Sequence, residues 1–337
     1  MSTRHPIMKI RARTGTAWLA FALTIVTLTP RAHGDTWPER PLRLVVPFPA
    51  GGAVDSAARL VAQTLAEQGA LRGQALVVEN RAGASGSIGT QSVAHATADG
   101  QTLLFATGST HGTNPAVMAR LPYDPVASFA PVILVASTPY LLLVHPSIPA
   151  RSLAELLALA RKNPGRLNYA SYGPGSSNHL ATELLRASTR IDIVHVPYKG
   201  GAPAIAGLVA GEVQLLLDVW SSSGSHASAG RMRLLAVASS QRVPFAPETP
   251  TFIEAGMPGY RAGTFYGIFA PAGTPDARVA LLNEALNRVL EQADTRARLI
   301  AQGAEPAGGT PEQLATRVSE EIALWRALVR SQGLAFD

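Results

Sequence analysis

The sequence contains no cysteine. Disulfides, thiolate metal sites and cysteine nucleophiles are therefore excluded. Its histidines stand at 5, 33, 95, 111, 145, 179, 195 and 226, and no pair has metal-motif spacing. There is no G-x-S-x-G nucleophile elbow, and neither a dinucleotide nor a P-loop glycine pattern. Neither a cofactor nor a metal is expected. Acidic residues are missing from the first 34 positions, where Arg4, Lys9, Arg11, Arg13 and Arg31 stand. With those positions set aside, 24 basic residues face 23 acidic ones, and the formal charge falls from +6 to +1. That near-balance gives no electrostatic case for nucleic acid or an anionic membrane as partner.

What the N-terminus does have is a leader pattern. A basic start precedes the apolar stretch Ala17 to Leu28, which is too short to span a bilayer comfortably. Pro30 breaks it, and Ala32-His33-Gly34 has the small-x-small form of a cleavage site. The expectation is an exported, periplasmic protein with residues 1–34 as signal peptide, cleaved near Gly34; the alternative is a retained N-terminal anchor. No cysteine follows the apolar stretch to carry a lipid, and no further membrane-crossing run is present. The remaining chain of about 300 residues is long for one core, so two domains are expected.

The chain is organised around Leu42 to Glu67. Leu42, Leu44, Val45 and Val46 form a short apolar run suited to a buried strand. Pro47 and Pro49 end it, and Gly51-Gly52 supplies a turn. Asp55 and Ser56 have N-cap chemistry, and Val54, Ala57, Ala58, Val61 and Leu65 recur at helical spacing. Strand, glycine turn and helix together leave a bare helix N-terminus beside a loop free of side chains, which suits an anion. An ordinary strand-to-helix connection with a capping Asp55 fits the same residues.

Strand-like and helix-like segments alternate almost throughout, which predicts α/β layers with largely parallel sheets. Ala75 to Glu79 and Thr102 to Ala106 read as strands; the first leads into the Gly-rich loop Asn80 to Gly86, the second into the small polar loop Thr107 to Pro115. Pro131 to Val144 carries the chain into a second domain. There the opening logic recurs: strand Leu167 to Ser171, the loop Gly173 to His179, then a helix. Ser152, with Glu155 at capping-box spacing, starts a further helix. Strands follow at Ile191 to Val196, Val213 to Val219, Leu234 to Ala238 and Tyr266 to Phe269. The tail from Asp276 is helical in period, with stripes at Val279, Leu282, Ala285, Leu286, Val289 and at Leu314, Val318, Ile322, Trp325.

These segments carry a resemblance. The matching stretches are Trp37-Pro38-Glu39-Arg40-Pro41, Val46 to Gly52 with Asp55, Val78-Glu79-Asn80-Arg81, Asp99-Gly100, Leu121-Pro122-Tyr123-Asp124-Pro125, Asn163-Pro164-Gly165, His195 to Gly200, Pro250-Thr251 with Glu254-Ala255-Gly256, and Pro271 to Pro275. In this order they resemble the Bug, or TctC-type, extracytoplasmic solute receptors of tripartite tricarboxylate transport systems. The resemblance implies a type II periplasmic-binding fold, two α/β domains with a ligand cleft between them, and no enzyme. The domains would be 35–137 plus 257–337, and 138–256. It also implies a small carboxylate ligand (a di- or tricarboxylate, an acidic amino acid or an aromatic acid), held mainly by backbone amides and small polar side chains. Its partners would be the integral-membrane permease subunits, or alternatively a two-component sensor kinase; a monomer is expected.

Carried over residue by residue, the first-domain contacts would be Phe48, Ala50, Gly51, Gly52 and Asp55, with Gly83, Ala84, Thr107, Ser109 and His111 nearby. The second-domain contacts would be Ser171, Gly175, Ser176, Ser177 and His179, with Tyr198 and Asp218 on the cleft wall. Asp55 reads equally as a helix cap, His179 as a helix-start hydrogen bond, Tyr198 with Lys199 as a turn, and Asp218 as a satisfied strand end. Ala50 and Ala82 stand where proline is common in the family. Tyr172 stands where a small residue is usual and would narrow the cleft if it faces it. A rival class, a hydrolase using Ser176 and His179 with Asp218, has no motif behind it.

Overall fold

The computed structural model describes residues 1–3, 5 and 37–336. The expected leader core and its cleavage site near Gly34 lie outside the described residues. From Trp37 onward the chain builds two sheets. The first has the order β11-β4-β10-β3-β1-β2, with β1 Leu42–Val46, β2 Leu76–Asn80, β3 Thr102–Thr107, β4 Phe129–Pro139, β10 Gly263–Pro271 and β11 Glu305–Pro306. The second has the order β7-β6-β8-β5-β9, with β5 Leu141–Val144, β6 Asn168–Ser171, β7 Val194–Pro197, β8 Leu215–Asp218 and β9 Arg233–Val237. The helices are α1 Ala53–Glu67, α2 Ser87–Ala94, α3 Asn114–Val117, α4 Leu153–Lys162, α5 Ser177–Thr189, α6 Gly201–Ala210, α7 Trp220–Ser228, α8 Asp276–Glu291, α9 Ala293–Ala301 and α10 Pro311–Ser331.

The central strands of both sheets are buried on both faces, which is why β1, β3, β5 and β8 read as apolar runs. In β1, Leu44 and Val46 join one cluster with Leu103, Phe105 and Ile268, while Val45 joins Leu104, Ala106, Phe265 and Phe269 on the other face. The second sheet repeats this with Leu142 and Val144 against Leu141 and Leu143. The expected stripes of α8 and α10 are all buried. α10 serves both sheets: Leu314, Val318 and Ile322 pack on the first, Trp325 and Leu328 on the second.

The sheets are mixed rather than largely parallel. β1 lies parallel to β2 and β3, and β6 parallel to β7 and β8, but β10 is antiparallel to β3 and β4, and β5 to β8 and β9. The cause is the crossing between sheets. β4 ends at Pro139, Tyr140 follows, and β5 opens with Leu141 paired to Asp218, the last residue of β8. Likewise β10 enters with Tyr266 paired to Thr107, the last residue of β3. A strand arriving from the other sheet enters at the C-terminal edge of the parallel strands and must run against them. The same geometry turns the two C-terminal edges, where open α/β sheets hold ligands, toward the crossing.

Three further expectations need correction. The Thr107–Pro115 loop is mostly a helical turn at Ser109–Thr113, followed directly by α3. The tail is interrupted by β11, which pairs with Ala136 and Ser137 of β4. α7, rich in serine and without an apolar stripe, is not anticipated in the sequence.

Candidate functional site

α1 begins one turn earlier than its Asp55-Ser56 signal suggests. Its N-cap is Gly52, which carries no side-chain cap bond. Asp55 acts from the third helical position: its Oδ2 accepts from the Gly51 amide and from Arg59 Nε, both at 2.9 Å, and its Oδ1 accepts from Asn80 Nδ2 at 2.9 Å. Asn80 Nδ2 also reaches the Phe48 carbonyl at 3.1 Å. Asp55 is thus a buried clamp on the Phe48–Gly52 turn. Burial alone would raise its pKa, but the bonds from Arg59, Gly51 and Asn80 win and hold it below the usual carboxylate range. Ala50, Gly51 and Gly52 are exposed beside the helix end. Gly51 has φ +81 and needs to be glycine; Gly52, at φ −79, does not.

The next loop is strained. Gly83, Ala84, Ser85 and Gly86 have φ of 132, 46, 53 and 87, and all but Gly86 are exposed. Each non-glycine residue held in this region costs about 1–2 kcal/mol, a cost that persists where the surrounding structure over-determines it. The run sets the N-terminus of α2 against the first loop: a Cβ on Gly86 would lie 2.7 Å from Thr110 Cγ2 and 3.2 Å from Phe48 Cζ. Asn114 Nδ2 donates to the Ser85 carbonyl at 3.0 Å. The three loops after β1, β2 and β3 therefore form one cluster.

Only part of the Thr107–His111 segment faces that cluster. Thr107 is buried, and His111 is fully enclosed by Phe269, Phe129 and Tyr123, with ring centroids at 4.3, 4.9 and 6.2 Å. Burial pushes His111 down to about 3, so it is a neutral core residue. Ser109 points the other way: its Oγ lies 3.1 Å from Ser177 Oγ, and Thr113 Oγ1 lies 3.0 Å from the same hydroxyl. These contacts join the loops of the first sheet to the start of α5 on the second. Thr113, Asn114 and Asn80 are site-building residues absent from the sequence-derived set; each lies within a stretch already marked as a loop or motif.

On the second sheet, Ser176 Oγ lies 2.6 Å from the Gly173 carbonyl oxygen and 2.9 Å from Asn178 Oδ1, two acceptors for its one proton, and the start of α5 has no side-chain cap. Ser171 is buried, with Oγ 2.6 Å from His195 Nε2. Gly175 packs beneath Phe336 and Val117, and its amide donates to His179 Nδ1 at 3.1 Å. His179 stacks on His195 at 4.0 Å; burial first, then that neighbour, lowers it to about 4. The expected helix-start hydrogen bond is the one from Gly175. Tyr198 turns away along α6, its hydroxyl donating to Glu212 at 3.2 Å. Asp218 is buried at the strand end and accepts hydroxyls from Tyr172, Ser222 and Ser223. Ser176, His179 and Asp218 are each bonded elsewhere and form no relay.

Among the described residues two helices carry a side-chain cap: α4, through Ser152, and α10, through a Thr310–Gln313 capping box. Neither α8 nor α9 has one, and neither does any of the helices that follow parallel strands, α1, α2, α5, α6 and α7, with α3 after its helical turn. Their free amides and positive dipole ends gather at the facing sheet edges. A separate cavity of about 260 Å³ lies beside the crossing strands, between Thr138, Ser239, Arg261, Glu305 and Arg317, and none of the sequence-derived contacts lines it.

Two sheets joined by crossing strands, with bare helix ends at the facing edges and no catalytic relay, define a solute-binding receptor. The model of the tripartite tricarboxylate transporter family receptor, TctC, matches residues 57–334, and the chain belongs to that family. It is 42% identical over 311 residues to the UPF0065 protein of the tcbD-tcbE intergenic region of Pseudomonas sp. strain P51, covering 91% of each chain. Among solved structures it resembles R. palustris Rpa4515 with adipate at 40% identity and TM-score 0.78, covering 89% of this chain and 99% of that one. It also resembles MatC (Rpa3494) from Rhodopseudomonas palustris with bound malate at 37% identity and TM-score 0.73, covering 87% and 99%. The fold is that of the periplasmic solute-binding proteins, and the protein is a receptor, not an enzyme.

Proposed function

We propose that this receptor captures a small carboxylate between its two sheets and delivers it to the membrane permease of a tripartite tricarboxylate-type transporter from the periplasm. The observation that carries the reading is the convergence of uncapped helix N-termini, α1, α2, α5 and α6 among them, on the sheet edges that Ser109, Thr113 and Ser177 bring together. Backbone amides at a helix end are charge-assisted donors to an anion. Two of the loops that offer them, Pro47–Asp55 and Gly173–His179, contain no Lys or Arg, while those before α2 and α6 carry Arg81 and Lys199. The carboxylates in the two related structures are consistent with this chemistry. We assign residues 35–137 and 257–337 to one domain and 138–256 to the other. The crossing at Tyr140 and the return before Gly263 support two lobes, although Thr138 and Pro139 still pair in the first sheet, Met257, Tyr260 and Ala262 pack on the second, and α10 packs on both.

Calorimetry and thermal shift on the processed protein, with mono-, di- and tricarboxylates, test the binding reading. A ligand at 100 times its dissociation constant stabilises the fold by about 2.7 kcal/mol. No response to any member of the panel overturns it. Intact mass of the protein from the envelope fraction tests export: a precursor-length mass refutes cleavage near Gly34.

A further inference from the structure

We propose that the stacked pair His179 and His195 are positioning residues: without touching the ligand, they hold the turn from Gly173 to Ser176 so that the first amides of α5 face its carboxylate. This rests on the carboxylate-binding reading and names what sets the donors of the second lobe.

The turn has little conformational preference of its own. Gly173 and Gly175 flank Pro174 with φ of 122 and 72, and glycine resists neither sign of φ. The amides are fixed instead from beneath. The Gly175 amide donates to His179 Nδ1 at 3.1 Å. The Gly173 amide donates to Ser171 Oγ at 3.1 Å, and that oxygen lies 2.6 Å from His195 Nε2. The two imidazoles therefore hold alternate amides of one turn, His179 directly and His195 through a hydroxyl. The Gly175 amide is spent on this support. The donors left for a ligand are the next ones, on Ser177, Asn178 and His179, which the helix supplies with no carbonyl.

The rings are themselves held. They stack at 4.0 Å, with their planes 12° apart. Tyr169 stacks on His195 at 4.9 Å, and Phe336 stands edge-on to His179 at 5.8 Å. Buried Glu183 accepts the Tyr169 hydroxyl and is gripped in turn by Arg186, at 2.7 and 2.8 Å. An Nδ1 that accepts an amide leaves the ring proton on Nε2, so His179 acts as a neutral imidazole. Burial lowers both histidines and keeps them in that form.

The test separates the two ring nitrogens. The terminal atoms of Asn fall where Nδ1 lies, and those of Gln where Nε2 lies. Calorimetry on the processed protein uses acetate, succinate, malate, adipate and citrate as probes, with a thermal melt on each variant to establish folding. For the acid that the wild type binds most tightly, His179→Asn should bind within threefold of wild type and His179→Gln at least tenfold more weakly. At the other ring the order should invert, with His195→Gln within threefold and His195→Asn at least tenfold weaker. Side chains that only fill space would favour the same replacement at both positions. Asn and Gln variants that bind alike at either position, or in the opposite order, overturn the inference alone. A wild type that binds none of the five acids overturns the carboxylate reading and the inference with it. Should a variant at one position fail to fold, the pair at the other decides.

Discussion

Gly51 and Gly52 are adjacent, exposed and chemically identical, yet the structure assigns them opposite sensitivities. At Gly52 the backbone is extended, with φ −79 and ψ 171, and a Cβ would meet only the Pro49 carbonyl oxygen at 3.6 Å. A side chain there strains nothing. An apolar N-cap is slightly unfavourable, while a stiffer unfolded chain is favourable, so Gly52→Val should change stability by less than about 1 kcal/mol. Its methyl groups would fill the space in front of the α1 amides. Losing two charge-assisted bonds at about 1.5–3 kcal/mol each amounts to at least about 3 kcal/mol, more than a hundredfold in affinity. Gly51 is the reverse. Its φ is +81, and a Cβ there would meet nothing within 4 Å. Gly51→Ala should lower stability by about 1–2 kcal/mol through strain alone and leave the ligand space open. Denaturant melts and calorimetry on both variants separate the effects. Gly52→Val binding within threefold of wild type, at unchanged stability, would refute the placement of the anion at α1.

Arg59→Ala and Lys199→Ala should each weaken binding less than about tenfold, because Arg59 is engaged by Asp55 and Asn80 and Lys199 is exposed; a hundredfold loss in either titration would contradict this. Ser177→Ala, which removes the hydroxyl shared by Ser109 and Thr113, should cost about 1 kcal/mol of binding, and calorimetry showing no change would discount that contact. His111, held at about 3 when folded, binds fewer protons than its unfolded form below about pH 6.5, so its contribution is lost as pH falls toward 3, by at most about 1.4 kcal/mol per unit. Since buried Asp218 and Glu321 are raised and pull the other way, the measurement is the difference in urea midpoint between wild type and His111→Leu at pH 7 and 5, and equal pH slopes would exclude the effect. Ligand should reduce the radius of gyration in solution scattering; an unchanged radius at saturation argues against domain closure.

The sequence makes the strand–turn–helix units legible because each couples three local signals: an apolar run, a glycine turn and a helical period. It does not show where within a loop a side chain points. His111 lies two residues from Ser109, yet the wide turn sends one into an aromatic core and the other toward α5. Asp55 illustrates a subtler limit. Its capping chemistry is visible, but its partner amide lies before the helix, and its partner Asn80 is 25 residues away on another strand. Strand direction was misjudged for a topological reason. Alternating elements suggest parallel sheets, while a chain that crosses between sheets must enter each against the grain. Tyr172 is conspicuous by size alone; its hydrogen-bond partner Asp218 lies 46 positions later.

The distribution of donors bears on what kind of carboxylate the site can hold. In the carboxylate reading, each sheet edge offers amide bonds worth about 1.5–3 kcal/mol apiece to a charged acceptor, and each helix end adds about 0.3–1 kcal/mol when exposed. One edge contributing two bonds therefore supplies about 3–7 kcal/mol. Association costs at least about 4 kcal/mol in lost freedom, so an anion held by one edge alone keeps little net affinity. The nearby cations do not make up the difference, because Arg59 and Arg81 are already paired with Asp55 and Glu79. An acid with a carboxylate at each end meets both sets of amides for a single association cost. It also rewards the approach of the edges that Ser109, Thr113 and Ser177 join. The arrangement therefore favours acids charged at both ends over those charged at one, without a fixed countercharge in either lobe.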